Sequence, residues 1–189
     1  MFNDRYGLTQ AVIEGRKTMA MMLINIKSTS DVQVRIFAGY VQIIGRSGDV
    51  CAEKKLSYKV GEVVAMAQRY QDIFDYSNCV NPYAWEDDDK PSGWTNKMLT
   101  KAELMPHQIR ITGIKCERLQ DISEEDCMKE GILGDVENDK YEVYGLFGNS
   151  DDGFDTPREA FASLIDKVSG RGTWKRNPWV VAYEFELVK

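Results

Sequence analysis

Gly15-Arg16-Lys17-Thr18 sets two cations and a hydroxyl at a change of sequence pattern. Upstream, Leu8, Ala11 and Val12 recur at helical spacing, with Thr9 as the expected cap and Gly15 where a left-handed residue ends a helix. Downstream, Met19 to Ile24 is an apolar run of the length of a buried strand. Such a junction can hold a lysine and a threonine at a cleft floor, where Arg16 and Lys17 would meet a phosphate or a base edge. The plainer reading leaves both cations solvated at the helix C-terminus, where the dipole favours them.

Three further groups carry chemistry. Arg110 lies in a run where Ile109 and Ile111 share one face and Arg110 and Thr112 the other, and it is expected to line the same cleft. Trp174, Lys175, Arg176 and Asn177 combine cations with an aromatic ring, the mix that single-stranded nucleic acid favours. Packing at the end of a barrel is an equal reading for Trp174 and Trp179. His107, the single histidine, follows Met105-Pro106 at a strand entrance and suits either a loop hydrogen bond or acid/base work.

Composition narrows the classes. A net charge of -6 argues against coating duplex DNA with a general basic face, since such binding rests on many phosphate contacts. A local basic cleft stays open. Cys51, Cys79, Cys116 and Cys127 form no Cys-x-x-Cys pair, so no local zinc signature exists, and neither metal nor cofactor is expected. The Met19 to Ile26 run is interrupted by Asn25 and far shorter than a membrane span, which leads to an expectation of a cytoplasmic protein with no membrane partner.

The elements that must position these residues read as one domain over 1–189, large enough to bury a core. Val32 to Ile36 alternates as a half-buried strand that Val41 to Ile44 extends beyond Gly39; Lys27 to Asp31 and Arg46 to Asp49 are turns, and Glu53-Lys54-Lys55 is a charged connector. A strand is expected near Val63 to Ala67. Residues from about 70 to 99 mix aromatic side chains with Asn, Pro, Gly and the acidic run Glu86 to Asp89, as an irregular loop does.

Met105 to Leu119 contains a clear strand. Ser123 is expected to cap a short helix through Met128, closed by Glu130-Gly131, and Tyr141 to Phe147 is a further strand candidate. Thr156-Pro157-Arg158-Glu159 opens a helix with Phe161, Leu164, Ile165 and Val168 as its buried stripe and Gly170 as its stop. A basic loop, Arg171 to Trp179, precedes a last strand over Val180 to Val188, in which Glu184 and Glu186 mark a wet face. Many short strands broken by turns favour a β-barrel or β-rich α+β domain.

In order along the chain, Gly15-Arg-Lys-Thr, Tyr58-Lys-Val-Gly-Glu-Val-Val, Met105-Pro, Leu119-Gln-Asp-Ile-Ser-Glu-Glu-Asp with Glu130-Gly-Ile, and Asn177-Pro-Trp-Val with Glu184-Phe-Glu resemble the ASCH-domain proteins, in their longer phage- and prophage-associated form. The resemblance covers most of the chain apart from about residues 23–55 and 70–95. It implies an α+β fold, a PUA-like mixed β-barrel with short flanking helices, and recognition of RNA, a nucleotide or a modified nucleobase beside the Gly-x-Lys motif. Some small ASCH proteins are amidohydrolases of acetylated cytidine that use a lysine, a threonine three residues later and a glutamate from a following helix. Lys17 matches the lysine and Glu130 the glutamate, while Ala20 stands at the threonine and Met22 replaces an arginine.

Alanine has no atom to attack with, so an enzyme here would need Thr18, two residues earlier on the same strand face, as nucleophile. Binding without catalysis is therefore the leading expectation. The alternatives are that amidohydrolase, with Lys17 as base, Glu130 as acid/base partner and Thr18 as nucleophile, and a protein-interaction module of a mobile element that uses the acidic aromatic loop.

Overall fold

A computed structural model of the chain describes residues 2, 4–24, 32–73, 90–135, 137, 139–144 and 153–188. The architecture is α+β. Its centre is an antiparallel sheet of β1 (Met19–Leu23), β9 (Trp179–Leu187), β6 (Gln108–Arg118) and β5 (Val63–Ala65), in that spatial order. The remaining strands are β2 (Gln33–Phe37), β3 (Tyr40–Ile44) and β4 (Val50–Lys55) in a second antiparallel sheet, and the pair β7 (Leu133–Asp135) and β8 (Lys140–Glu142). The helices are α1 (Leu8–Ile13), α2 (Tyr70–Ile73), α3 (Glu124–Lys129), α4 (Pro157–Ser169) and α5 (Thr173–Arg176).

The central sheet is covered on both sides, which explains why β9 is apolar through Val180, Val181, Ala182 and Tyr183 and turns wet at Glu184 and Glu186. On one side Val180 joins Phe161, Leu164 and Ile165 of α4, Leu119, Ile122 and Cys127. On the other, Val181, Tyr183 and Phe185 pack with Ile109 and Ile111 of β6 and with Val41 and Leu56 at the second sheet. The β6–β9 register shifts between Ile111 and Gly113, where Thr112 is the extra residue. Such a bulge increases local twist and curls the sheet into the half-barrel seen here.

Local signals formed the helices as expected in several places. Ser123 accepts from the Asp126 amide at the start of α3, Thr156 accepts from the Glu159 amide at the start of α4, and Gly15 takes φ 73° after α1. The cap of α1 is different: Gly7 holds that position at φ 61°, and Thr9 instead donates to Asp4 at 2.5 Å.

Several strand expectations are corrected. β3 does not continue β2 but folds back on it through Ala38 and Gly39, both at positive φ, as a two-residue hairpin demands. Glu53-Lys54-Lys55 is no connector; it belongs to β4, which pairs with β3 but is exposed along its whole length. β2 is mostly exposed, with Val34 alone half-buried. The basic loop before β9 contains the helical turn α5, whose Gly172 and Trp174 amides are both capped by the Asp166 carboxylate of α4 at 2.9 and 2.7 Å. Val168 stays 42% exposed and leaves the α4 stripe to Ala160, Phe161, Leu164 and Ile165. The Lys27 to Asp31 turn, most of the aromatic and acidic loop, including Glu86 to Asp89, and the end of the Tyr141 to Phe147 strand lie outside the described residues.

Candidate functional site

Lys17 follows the left-handed Gly15 and is the last residue but one before β1. Its amide donates to Ala11 at the end of α1, and the next amide, of Thr18, donates to the Lys129 carbonyl of α3. The junction is thus tied by one backbone bond to α1 and one to α3, and the Lys17 side chain is carried inward. It is 2% exposed. Its Nζ donates to the Glu130 carboxylate through Oε2 and, at 2.8 Å, to the Glu130 backbone carbonyl.

Glu130 is the C-cap residue of α3, with its amide bound to Asp126 and Cys127 carbonyls, and Gly131 at φ 102° turns the chain away behind it. A Cβ on Gly131 would meet Leu8, Lys17 Cβ and Ala11 only at ordinary contact distance, so it is the positive φ of the bend that calls for glycine. Asp126 fixes the helix on the sheet. Its carboxylate accepts from Lys115 of β6 at 2.5 Å and from Lys129 at 3.3 Å. Burial pushes the Asp126 carboxyl up, but the bonds from Lys115, Ser123 and Lys129 outweigh it and hold the group below its ordinary value.

Two adjoining cavities open at this junction. A recess of about 120 Å³ is lined by Lys17, Glu130, Ala20, Met21 and Phe2 with Phe161 and Leu164 of α4 behind them. A larger cavity of about 490 Å³ shares Phe2, Ala20 and Met21 and extends between Tyr58, Met66, Met98 and Phe185. Phe2 therefore forms a wall common to both; its ring packs on Phe185 with centroids 5.6 Å apart and lies 5.9 Å from Lys17 Nζ. Glu130 is 6% exposed, and its second carboxylate oxygen, Oε1, is buried without a hydrogen-bond partner among the described residues. A carboxylate accepts at both oxygens, so an unused acceptor lies buried beside a cation at the wall of the recess.

The structure brings Lys17 and Glu130 together and separates the other expected site residues from them. Arg16 is exposed and pairs with Glu14 at 2.5 Å. Thr18 lines neither cavity; its backbone carbonyl accepts from Phe185. Arg110, expected in the same cleft, is exposed and pairs with Glu186 at 2.8 Å on the strand face away from Ile109 and Ile111, which do line the larger cavity.

The Trp174 to Asn177 group is structural for the most part. Trp174 packs edge-on against Phe161, with the Arg158 guanidinium 5.8 Å from its ring. Asn177, at φ 44°, accepts from the Gln120 amide at 2.8 Å through its side chain and from Arg118 through its carbonyl. Arg176 bonds Thr173 at 2.8 Å, and Lys175 is exposed. His107 borders a different, more polar cavity of about 510 Å³ with Gln68, Asp4 and Arg69.

Sequence reasoning missed Phe2 and Met21, and no local signal marks them: a single aromatic residue near the start of a chain has no period to be read. Among the described residues, no group of three His, Cys, Asp or Glu side chains can hold a metal ion, and no helix is long and apolar enough to cross a membrane. No protein-family model, curated protein or solved structure matches the chain.

Proposed function

We propose that this chain is a PUA-like, ASCH-type module of the cytoplasm that binds RNA, a nucleotide or a modified nucleobase in the cleft beside Gly15-Arg16-Lys17. One observation carries the reading: the buried Lys17–Glu130 pair forms the polar floor of a cavity otherwise walled by Phe2, Met21 and Phe161. Withdrawing a lysine and a glutamate from water is expensive, and an apolar pair of similar size would pack as well or better. A few polar groups at the bottom of an apolar, aromatic-lined pocket are what recognition of a planar polar ligand requires.

A second reading has its own support. The amidohydrolases that the resemblance points to use a lysine and a glutamate, and Lys17 and Glu130 lie in contact. It lacks a nucleophile beside them, because Ala20 faces the recess and Thr18 does not. Binding without turnover is the better account.

The test is a binding titration of nucleosides, nucleotides and short RNA and DNA oligomers, with acetate release from acetylated cytidine measured in parallel. Saturable binding without acetate release is the expected result. Acetate release that disappears on Thr18→Val would transfer the assignment to the enzyme; no binding by any of these compounds would remove the first reading.

A further inference from the structure

Lys17 Nζ carries three protons. Two are taken by Glu130, one by its Oε2 and one by its backbone carbonyl, and the third has no acceptor among the described residues. Glu130 Oε1 in turn has no donor among the described residues. One ion pair therefore leaves a spare donor and a spare acceptor side by side, both belonging to groups more than nine-tenths buried in the 120 Å³ recess. That volume is about four waters' worth.

We infer that the recess reads the edge of a neutral planar heterocycle that offers one hydrogen-bond acceptor next to one donor, and that it does not bind phosphate. This rests on the ligand reading above and narrows it. The acceptor of the ligand takes the third Lys17 proton, and the ligand N–H is taken by Glu130 Oε1. Lactam and amino-imine edges of nucleobases both meet this requirement, whereas an anion does not: Glu130 already neutralises Lys17, and a phosphate would face the unused carboxylate oxygen at close range. Arg16, the other cation of the motif, is exposed and held by Glu14, so it adds no positive charge to the recess.

The rest of the ligand occupies the larger cavity. Phe2 stands between the two compartments and covers Lys17, so its ring turns aside when the edge enters and offers its face to the heterocycle. The wall of Met21, Met22, Met66 and Met98 suits a ring whose substituents vary, since unbranched thioethers repack readily.

The experiment uses the full chain and titrates it calorimetrically with uridine, guanosine, cytidine and adenosine and with their 5′-monophosphates, at 50 and 200 mM salt. The best nucleoside is then compared with its edge-blocked form: 3-methyluridine, 1-methylguanosine, or the N,N-dimethyl derivative of cytidine or adenosine. The expected result is that nucleoside and monophosphate bind within about threefold of each other, that salt changes the constant by less than about twofold, and that edge methylation weakens binding by about tenfold or more. Phe2→Ala, which leaves the ion pair in place, alters nucleoside affinity because it removes the wall the base stacks on.

A monophosphate that binds tenfold tighter than its nucleoside, with affinity falling steeply in salt, overturns the inference and leaves a phosphate-reading cleft. So does a methylated nucleoside that binds as well as its parent. Oligonucleotide binding that depends on Lys17, with no nucleoside bound, overturns the inference while the broader ligand reading stands.

Discussion

Lys17 and Glu130, 113 residues apart, form a pair in which the lysine Nζ holds both the side chain and, at 2.8 Å, the backbone carbonyl of the same glutamate. The carbonyl bond ties the cation to the turn that ends α3, and the carboxylate bond neutralises it. Removing either partner strands a charge in a site nearly closed to bulk water. Lys17→Met or Glu130→Leu alone is expected to destabilise by about 3–5 kcal/mol, whereas the two combined restore stability to within about 1 kcal/mol of the native chain. Urea titrations of the four proteins read this cycle, and additive single effects would contradict the coupling.

Thiol chemistry divides the cysteines by burial. Burial pushes the Cys127 thiol up to about 12, and burial together with the Glu117 carboxylate pushes Cys116 up to about 11, so both stay protonated and shielded near neutrality. Cys51 is exposed on β4. Alkylation at pH 8 followed by peptide mass mapping should modify Cys51 within minutes and leave Cys116 and Cys127 intact until denaturant is added. Rapid native labelling of Cys127 would contradict its place under α4.

Asp126 gives the fold an acid limb. Its folded value lies below the ordinary 3.8, so its contribution is fully present above that value and is lost as pH falls through the lower, folded one. The stability gap between the native chain and Asp126→Asn should therefore be constant from pH 7 to about 5 and shrink by about 1 kcal/mol toward pH 3. A gap that widens on acidification would reverse the sign and deny the Lys115 and Lys129 contacts.

Arg110 and Lys175 lie off the cleft, one paired with Glu186 and the other exposed on α5. Arg110→Ala and Lys175→Ala should each leave ligand affinity within about twofold and stability within about 0.5 kcal/mol. A tenfold loss of affinity from Lys175→Ala would return the basic stretch before β9 to the site, and one from Arg110→Ala would return the outer face of β6. That comparison is made by the same titrations as for the native chain.

What could be read from the sequence follows the range of the interaction. Ser123 and Thr156 accept from amides three residues on and Gly15 donates its own amide to the Val12 carbonyl, all within one turn, so their roles are legible in the sequence. β4 was unreadable because neither face is buried, so Val50 to Lys55 carries no alternation. The β2–β3 hairpin was hidden by Ala38 at φ 50°, a residue that does not advertise a positive φ. α5 was hidden for another reason: its cap, Asp166, comes from the preceding helix and has no fixed spacing to search for.

The site shows the same divide. The Gly15-Arg16-Lys17 junction is local and was legible as a helix that stops before a strand, but periodicity could not tell a solvated Lys17 from a buried one. Its partner was found only through resemblance, since nothing in the residues around Glu130 signals a lysine more than a hundred positions upstream. The expected place of Arg110 failed on strand alternation itself: a residue between Ile109 and Ile111 points away from the cavity they line.

The Lys17–Glu130 pair is proposed to hold a ligand. The most direct measurement is a thermal-shift titration with nucleosides, nucleotides and short RNA, run on the native chain and on the folded Lys17→Met/Glu130→Leu variant. Ligand that binds the native state raises its melting temperature by mass action, so the native chain should show a saturating rise and the variant none. An equal rise in both proteins, or no rise in the native chain with any of these compounds, would contradict the claim and leave the pair as a structural contact between α3 and the start of β1.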